Sequence, residues 1–222
     1  MESARHPGEP IMKRGREHGR PSVVLQHRTV WQGSALLLKR PDERFPARLD
    51  MVEEMLGHLD AGFAILLGRT TAGLRRLDTG AAVLDHTHTF GRRKHCSLLL
   101  THWMADDNRE RAVHRQTFVT AYRAAGVPPP TGVMPDHLAA VLEFAAHVDP
   151  EAGRQLLVDH RVPIAALQRA LSDAGSPYAH AVAAVCATLP EVGAEDVHSV
   201  QGSGASAETV GPQHVHLEIP PN

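Results

Sequence analysis

The strongest constraint on the fold is a series of apolar segments with helical spacing, bounded by residues that start or end helices. Asp149-Pro150-Glu151 places a capping carboxylate, a first-turn proline and a first-turn acid in the order that begins a helix. Gly175 and the run Pro128–Pro130 are typical helix ends. Aromatic residues make up only 4% of the chain, which disfavours a β-sandwich core. No useful strand alternation is visible, so the predicted fold class is all-α.

The N-terminal half predicts a first helix capped by Thr29 and ended before Pro41, and a second from about Pro46. Glycines interrupt residues 61–89, which predicts two or three short helices there. Residues 94–104 carry a compact apolar run. We expect a buried helix, with a strand as the competing prediction.

In the C-terminal half, Asn108 is expected to cap a long helix that reaches Ala125. Asp136 is expected to cap the next helix, whose core-facing residues include Leu142. The helix after Asp149 is expected to break near Pro163, because proline lacks a backbone N–H. A last helix is predicted to open at Ser176-Pro177 and to stop at Pro190.

The domain organisation follows from changes in composition. Residues 1–27 mix charged residues, proline and glycine without periodicity and are expected to form a disordered arm. Residues 28–190 are expected to form a single helical-bundle domain. Residues 191–222 contain five acidic residues and no lysine or arginine, which predicts a disordered acidic tail.

Bulk properties limit the function classes. A net charge of -2 argues against general nucleic-acid binding. No signal peptide and no apolar run near the length of a membrane helix is visible, so we expect a cytoplasmic protein without direct membrane insertion. Phosphate-binding glycine loops and a nucleophile elbow are absent, so the residues alone indicate a helical domain without an evident catalytic site. We expect a protein that is not an enzyme and binds no permanent cofactor.

The histidine content supports an alternative prediction, a metal-binding regulatory or enzymatic domain. The chain has 16 histidines, and His86, His88, His95 and His102 lie within one segment. Residues i and i+2 of a helix point in different directions, so His86 and His88 share a metal only if the backbone is extended. No HExxH motif is present. Residues 92–95 form a basic run, Arg-Arg-Lys-His. Its simpler explanation is a solvent-exposed face of the protein.

Several motifs together resemble the nitrate reductase molybdenum cofactor assembly chaperones, the NarJ or delta-subunit group of the TorD-like helical chaperones. The resemblance covers about residues 28–190. It is carried by the following segments: Leu36-Leu37-Leu38 with Pro41-Asp42-Glu43, Asp85 to Gly91 with Arg92 and Arg93, Asp107 to Arg111, Ala121 to Gly126, Pro135-Asp136-His137-Leu138, Ser176-Pro177-Tyr178 and Ala184 to Pro190.

The resemblance implies a TorD/NarJ-like helical bundle that binds the catalytic (alpha) subunit of a respiratory nitrate reductase, with the N-terminal segment of that client as the expected contact. The client would then receive bis-molybdopterin guanine dinucleotide before it attaches to the membrane. A different molybdoenzyme is the alternative client. An open apolar groove between helices suits a client peptide. Acidic groove residues would complement a basic client, and the candidates are Asp85, Asp107, Asp136 and Glu143.

Candidate client-binding residues are taken from the matching motifs. For Asp136 a plain helix cap, and for Glu143 a solvent-facing helix position, are the alternatives. The full set is Asp85, Phe90, Arg92, Arg93, Thr101, Asp107, Arg109, Arg111, Asp136, His137 and Glu143.

Overall fold

The computed structural model describes residues 22–105 and 107–203. Within these ranges the chain is helical apart from turns and one isolated β-bridge, which confirms the all-α prediction. Its ten α-helices are α1 (Val23–Leu38), α2 (Phe45–Leu56), α3 (Ala61–Leu74), α4 (Thr79–His86), α5 (Asn108–Ala124), α6 (Leu138–Glu143), α7 (Pro150–Asp159), α8 (Arg161–Asp173), α9 (Tyr178–Cys186) and α10 (Ala194–Ser203).

Four short non-α helical turns connect these elements. Thr87–Arg92 and Phe144–Val148 are π-helical and continue directly from α4 and α6. Lys94–Cys96 and Leu100–Trp103 are 3-10 turns between α4 and α5.

Helices α1 and α9 form the centre of the bundle. α1 packs against α2, α3, α6 and α9, while α9 also packs against α3 and α8. Both carry fully buried residues, such as Val30 and Leu38 in α1 and Val182 in α9. Alanines recur along α9, and their short side chains let the neighbouring helix axes approach closely. Trp31 of α1 donates to the hydroxyl of Thr188 (2.9 Å), which holds the turn just after α9 against α1.

Local signals correctly predicted several helix ends. The Asp149 carboxylate accepts the N–H groups of Glu151 and Ala152, so α7 begins as expected. Gly175 follows α8 at φ 64°, a left-handed conformation that favours glycine and closes a helix. α9 opens directly after Pro177, as the Ser176-Pro177 pair predicts.

The first helix begins earlier than predicted. Ser22 caps α1 by accepting the N–H of Leu25, and the hydroxyl of Thr29 donates to the carbonyl of Leu25 inside the helix. Thr29 is therefore an interior residue, because a threonine hydroxyl can bond to the preceding turn as readily as it can cap. α3 is also longer than the short helices expected between residues 61 and 89.

The prediction of a buried helix over residues 94–104 is wrong. Leu99 forms an antiparallel bridge with His137. The carbonyl of Leu98 accepts the N–H of Leu138 (2.8 Å), and Leu100 donates to the carbonyl of Asp136 (3.1 Å). The backbone groups thus find partners almost forty residues away in the sequence, so the apolar run is buried without α-helical hydrogen bonds.

Two helices are capped by residues other than the predicted ones. Asp107, rather than Asn108, accepts the N–H of Glu110 and caps α5. His137, rather than Asp136, caps α6, because its Nδ1 accepts the N–H of Ala139 (3.2 Å). The break between α7 and α8 falls at His160, so Pro163 lies in the first turn of α8, where a helix does not need its N–H.

The chain remains helical beyond Pro190. α10 packs against α8, and the side chain of Val197 is 7% exposed. The expected disordered tail is therefore corrected for residues 194–203, since the buried side chain of Val197 ties this polar helix to the bundle. Residues 1–21 and 204–222 lie outside the described residues. In the described ranges, no helix is long and apolar enough to span a membrane.

Candidate functional site

A cavity of about 270 Å³ lies between the C-terminal end of α1, helix α2, helix α4 and the segment that enters α6. Ionisable side chains dominate its wall. They are Lys39, Arg40, Asp42, Arg48, His86, His137 and Glu143. A cavity with convergent polar groups is the natural place to look for binding.

The charged groups of the wall are mostly paired with one another. Lys39 forms an ion pair with Glu143 across the cavity. Arg48 donates through Nη1 to Asp42 and through Nη2 to the backbone carbonyl of Arg40, both at 2.9 Å. The Nε of Arg48 is buried and has no hydrogen-bond partner. One strong donor of the wall is thus left without an acceptor.

His137 contributes a neutral imidazole to the wall. Burial, and then nearby His86, lower the pKa of His137 to about 4, while Asp136 opposes the shift. Because Nδ1 accepts the N–H of Ala139, the remaining proton of the neutral ring is on Nε2. Near neutral pH His137 therefore presents an uncharged N–H donor.

His86 also carries its proton on Nε2, but for a different reason. Its Nε2 lies 3.1 Å from the carbonyl oxygen of Leu38, which can only accept, so Nε2 carries the proton. Burial is the main cause that lowers the pKa of His86, while the bond to Leu38 opposes it. In the neutral ring, Nδ1 is left as an acceptor.

Asp136 lies directly behind the cavity and is fully buried. Its Oδ2 accepts the hydroxyl of Thr101 (2.6 Å) and the N–H of the same residue (3.4 Å), and its Oδ1 accepts Nε of Arg115 (3.3 Å). The carboxylate thus links the turn Leu100–Trp103, α5 and the start of α6. Its role is to hold His137 in place, because it has no exposed surface for a client.

An aromatic cluster lies on the other side of His86. The rings of His86 and Phe90 are 4.7 Å apart, and that of Tyr178 is 4.9 Å from Phe90. The Tyr178 hydroxyl and Oδ2 of Asp85 are buried without hydrogen-bond partners. Burial, and then the nearby Asp85 charge, raise the pKa of Tyr178, so its hydroxyl stays protonated.

The remaining predicted site residues lie away from this cavity wall. Arg92, Arg93 and Arg109 are exposed. Asp107 caps α5, and Arg111 donates to the carbonyl of Ala105. Of the four carboxylates that we expected to form an acidic groove, Asp85, Asp107, Asp136 and Glu143, only the last lines the cavity. Asp107 is a helix cap, Asp136 is held by Thr101 and Arg115, and Oδ2 of Asp85 is buried without a hydrogen-bond partner.

The sequence reasoning missed the cationic part of the wall: Lys39, Arg40 and Arg48, together with Arg115 behind it. For Arg48 a signal was present. It shares the inward face of α2 with Phe45, Leu49 and Val52, and an arginine on a buried apolar face needs a specific set of partners.

The histidine alternative is not assembled into a metal site in the described ranges. His86 is buried against Leu38 and Phe90, while His88 and His95 are exposed. In residues 22–105 and 107–203 no group of three or more His, Cys, Asp or Glu side chains is placed to hold a metal ion.

Comparison with known proteins identifies the family. The family described as "Nitrate reductase delta subunit" matches residues 52–184, which is more than half of the chain. The chain belongs to the nitrate reductase delta subunit family. The matched residues include the C-terminal end of α2, the whole of α3 to α8 and most of α9. Four residues of the cavity wall lie outside the match: Lys39, Arg40, Asp42 and Arg48.

Individual relatives agree with this assignment. The chain is 50% identical over 159 residues to "Nitrate reductase-like protein NarX" of two Mycobacterium tuberculosis strains. The aligned part is 72% of this chain but 24% of NarX, so the chain spans about a quarter of those relatives. The "Probable nitrate reductase molybdenum cofactor assembly chaperone NarJ" of Bacillus subtilis is 28% identical over 99 residues, which are 44% of this chain and 54% of NarJ.

Proposed function

We propose that this chain is a cytoplasmic, non-enzymatic chaperone that binds the catalytic subunit of a respiratory nitrate reductase and assists insertion of its molybdenum cofactor before membrane attachment. The observation that supports this function is the family match over residues 52–184. The Bacillus subtilis relative is named "Probable nitrate reductase molybdenum cofactor assembly chaperone NarJ", which supports the same role. A helical bundle without a catalytic constellation in the described ranges fits a binding role.

The client segment that we propose is the N-terminal part of the catalytic subunit, and the cofactor it later receives is bis-molybdopterin guanine dinucleotide. The cavity beside α6 supports a peptide-binding role. His137 offers an N–H donor, Glu143 and His86 offer acceptors, and a peptide backbone needs both kinds of group. Glu143 is paired with Lys39, so a basic client side chain would have to compete with that lysine.

Co-expression tests the function directly. The affinity-tagged chain is expressed with the nitrate reductase catalytic subunit, either whole or without its N-terminal segment. We expect the chain to retain the whole subunit and to lose most of the truncated one. Nitrate reductase activity and molybdenum content of the client should fall when the chain is omitted.

The alternative hypotheses predict different results in the same experiment. Retention of another molybdoenzyme, with no capture of the nitrate reductase subunit, would support the alternative client. Capture that does not depend on the N-terminal segment would exclude that segment as the contact. Full molybdenum content and activity of the client in the absence of the chain would contradict the chaperone function itself.

The candidate residues are tested by His137→Gln and Glu143→Gln, with His88→Gln as the exposed control. We expect the first two to weaken client capture several-fold and the control to leave it unchanged. Equal capture by all three variants would show that the cavity is not part of the client-binding surface. The chaperone function would then depend on another surface.

A further inference from the structure

We propose that the cavity beside α6 binds a phosphate group through Arg40, Arg48 and His137. This site goes beyond the proposed client binding, and it rests on the charges and free donors of the wall alone. The ligand class is an oxyanion, which is either a free phosphate or a phosphate within a larger molecule.

The charge balance of the wall favours an anion. Three cationic side chains, Lys39, Arg40 and Arg48, face two carboxylates, Asp42 and Glu143. Each carboxylate is already paired, Asp42 with Arg48 and Glu143 with Lys39. This leaves one positive charge in excess, which an anion entering the cavity would neutralise.

Arg40 carries that excess charge. Arg40 is exposed, and its guanidinium has no hydrogen bond or ion pair to another described residue. It lies close enough to His86 to affect that ring electrostatically. A guanidinium at the mouth of a cavity, with its donors free, is well suited to a phosphate, which it can bind through two parallel N–H bonds.

Arg48 provides a second, independent indication of a missing acceptor. Its side chain is 10% exposed, and two of its nitrogens are used by Asp42 and the Arg40 carbonyl. The Nε N–H is buried and unpaired. A buried donor without a partner is costly. A ligand oxygen that reaches Nε as the Arg48 side chain shifts would remove this existing penalty.

The two histidines determine which anion fits best. His137 offers its Nε2–H as a donor, and His86 offers Nδ1 as an acceptor, as their other ring bonds require. A hydrogen phosphate ion carries oxygens for the donors and one O–H for the acceptor. A carboxylate lacks that O–H. We therefore expect phosphate to bind more tightly than acetate.

Asp85 and Asp136 are the carboxylates behind the wall that would oppose an anion. Asp136 is paired with Arg115, which leaves Asp85 as the one to consider. It influences His86 electrostatically but is not among the residues that line the cavity. The imidazole of His86, rather than the Asp85 carboxylate, is therefore the group that a ligand meets on this side.

The test is a titration of the full chain with sodium phosphate, pyrophosphate or sodium acetate at ionic strength matched with sodium chloride, near pH 7. Binding is followed by calorimetry and by the NMR signals of the histidine rings. We expect saturable binding of phosphate or pyrophosphate, weaker binding of acetate, and shifts of the His86 and His137 signals. Tighter binding of pyrophosphate than of phosphate would indicate a phosphate within a larger ligand.

Arg40→Gln is the decisive variant, because an exposed side chain can be changed without loss of the fold. We expect it to weaken phosphate binding about tenfold or more, while the control Arg76→Gln, another exposed arginine outside the cavity wall, binds as the parent does. Equal weakening by both variants, or no binding beyond that of chloride, would overturn the proposal. Neither result bears on client capture, which the co-expression experiment measures separately.

Discussion

The carboxylate of Asp136 is fully buried and receives hydrogen bonds from two elements that are distant in the sequence, the turn at Thr101 and helix α5 at Arg115. Because its neighbour His137 is the helix cap, Asp136 is free to act as a tether. A local motif, Pro135-Asp136-His137-Leu138, thus joins a structural residue to one that faces the cavity.

Asp136→Asn is predicted to lower the free energy of unfolding by about 2–4 kcal/mol, because an amide cannot accept all the donors that the buried carboxylate satisfies. Asp149→Asn is the matched control. Asp149 caps α7, and asparagine caps about as well as aspartate, so we expect a change below about 0.5 kcal/mol. Urea unfolding measures both. A similarly small loss in the two variants would mean that Asp136 is not a structural tether.

His137 is predicted to make the fold sensitive to acid. Its pKa is about 4 in the folded chain and near 6.5 when exposed. Between these values the unfolded chain binds a proton that the folded chain excludes, so stability falls as the pH drops from about 6.5 towards 4. At about pH 4.5 the loss due to His137 is about 2 kcal/mol relative to pH 7.

This pH effect is measured by urea unfolding of His137→Gln and of the exposed control His88→Gln at about pH 7 and pH 4.5. His86 and His160 are also buried with a lowered pKa, so part of the acid sensitivity remains in every variant. We expect only His137→Gln to reduce the difference between the two pH values. An unchanged difference would mean that His137 is solvated in the fold.

At the level of elements, close packing of α7 depends on one glycine. A Cβ on Gly153 would lie 2.3 Å from the Cα of Ala145, which is far inside van der Waals contact with backbone. The π-helical turn Phe144–Val148 and α7 are therefore in direct backbone contact. Gly62 in α3 is also a helical glycine, but a Cβ added there would have no neighbour within 4 Å.

Gly153→Ala is predicted to destabilise the chain by about 2–3 kcal/mol or more, because α7 must move away from the turn. Gly62→Ala is the control, and we expect it to be neutral or to stabilise by up to about 1 kcal/mol through helix propensity. Thermal unfolding compares them. If the two variants have the same midpoint, the close approach of α7 and the turn is absent in solution.

At the level of the whole molecule, one hydrophobic cluster extends from α1 to α10. Leu142 of α6 is fully buried within it, as predicted from the spacing of its helix, and Val197 of α10 joins its edge. A single connected core is expected to unfold in one transition.

Leu142→Ala is predicted to cost about 2–5 kcal/mol and Val197→Ala about 1–2 kcal/mol, through lost burial and the cavity left behind. Both are expected to shift the same unfolding transition, seen equally by circular dichroism and by the fluorescence of Trp31 and Trp103. A separate early transition in Val197→Ala alone would show that α10 is not part of the common core.

Sequence alone determined the helical class and the helix ends that depend on neighbouring residues. The start of α7 at Asp149-Pro150 and the end of α8 at Gly175 need only contacts within a few residues, which a linear pattern contains. The family-like motifs also located the residues around His137. These features are readable because caps, prolines and glycines act over one turn of helix.

The tertiary structure alone decided which of those residues meet. Thr101 and Asp136 are 35 positions apart, and the extended backbone between Leu98 and Leu100 exists because it pairs with the start of α6. The cationic wall at Arg48 and the docking of α10 depend likewise on distant partners. Their energies come from burial and from pairing across the bundle, so no local stretch of sequence carries them.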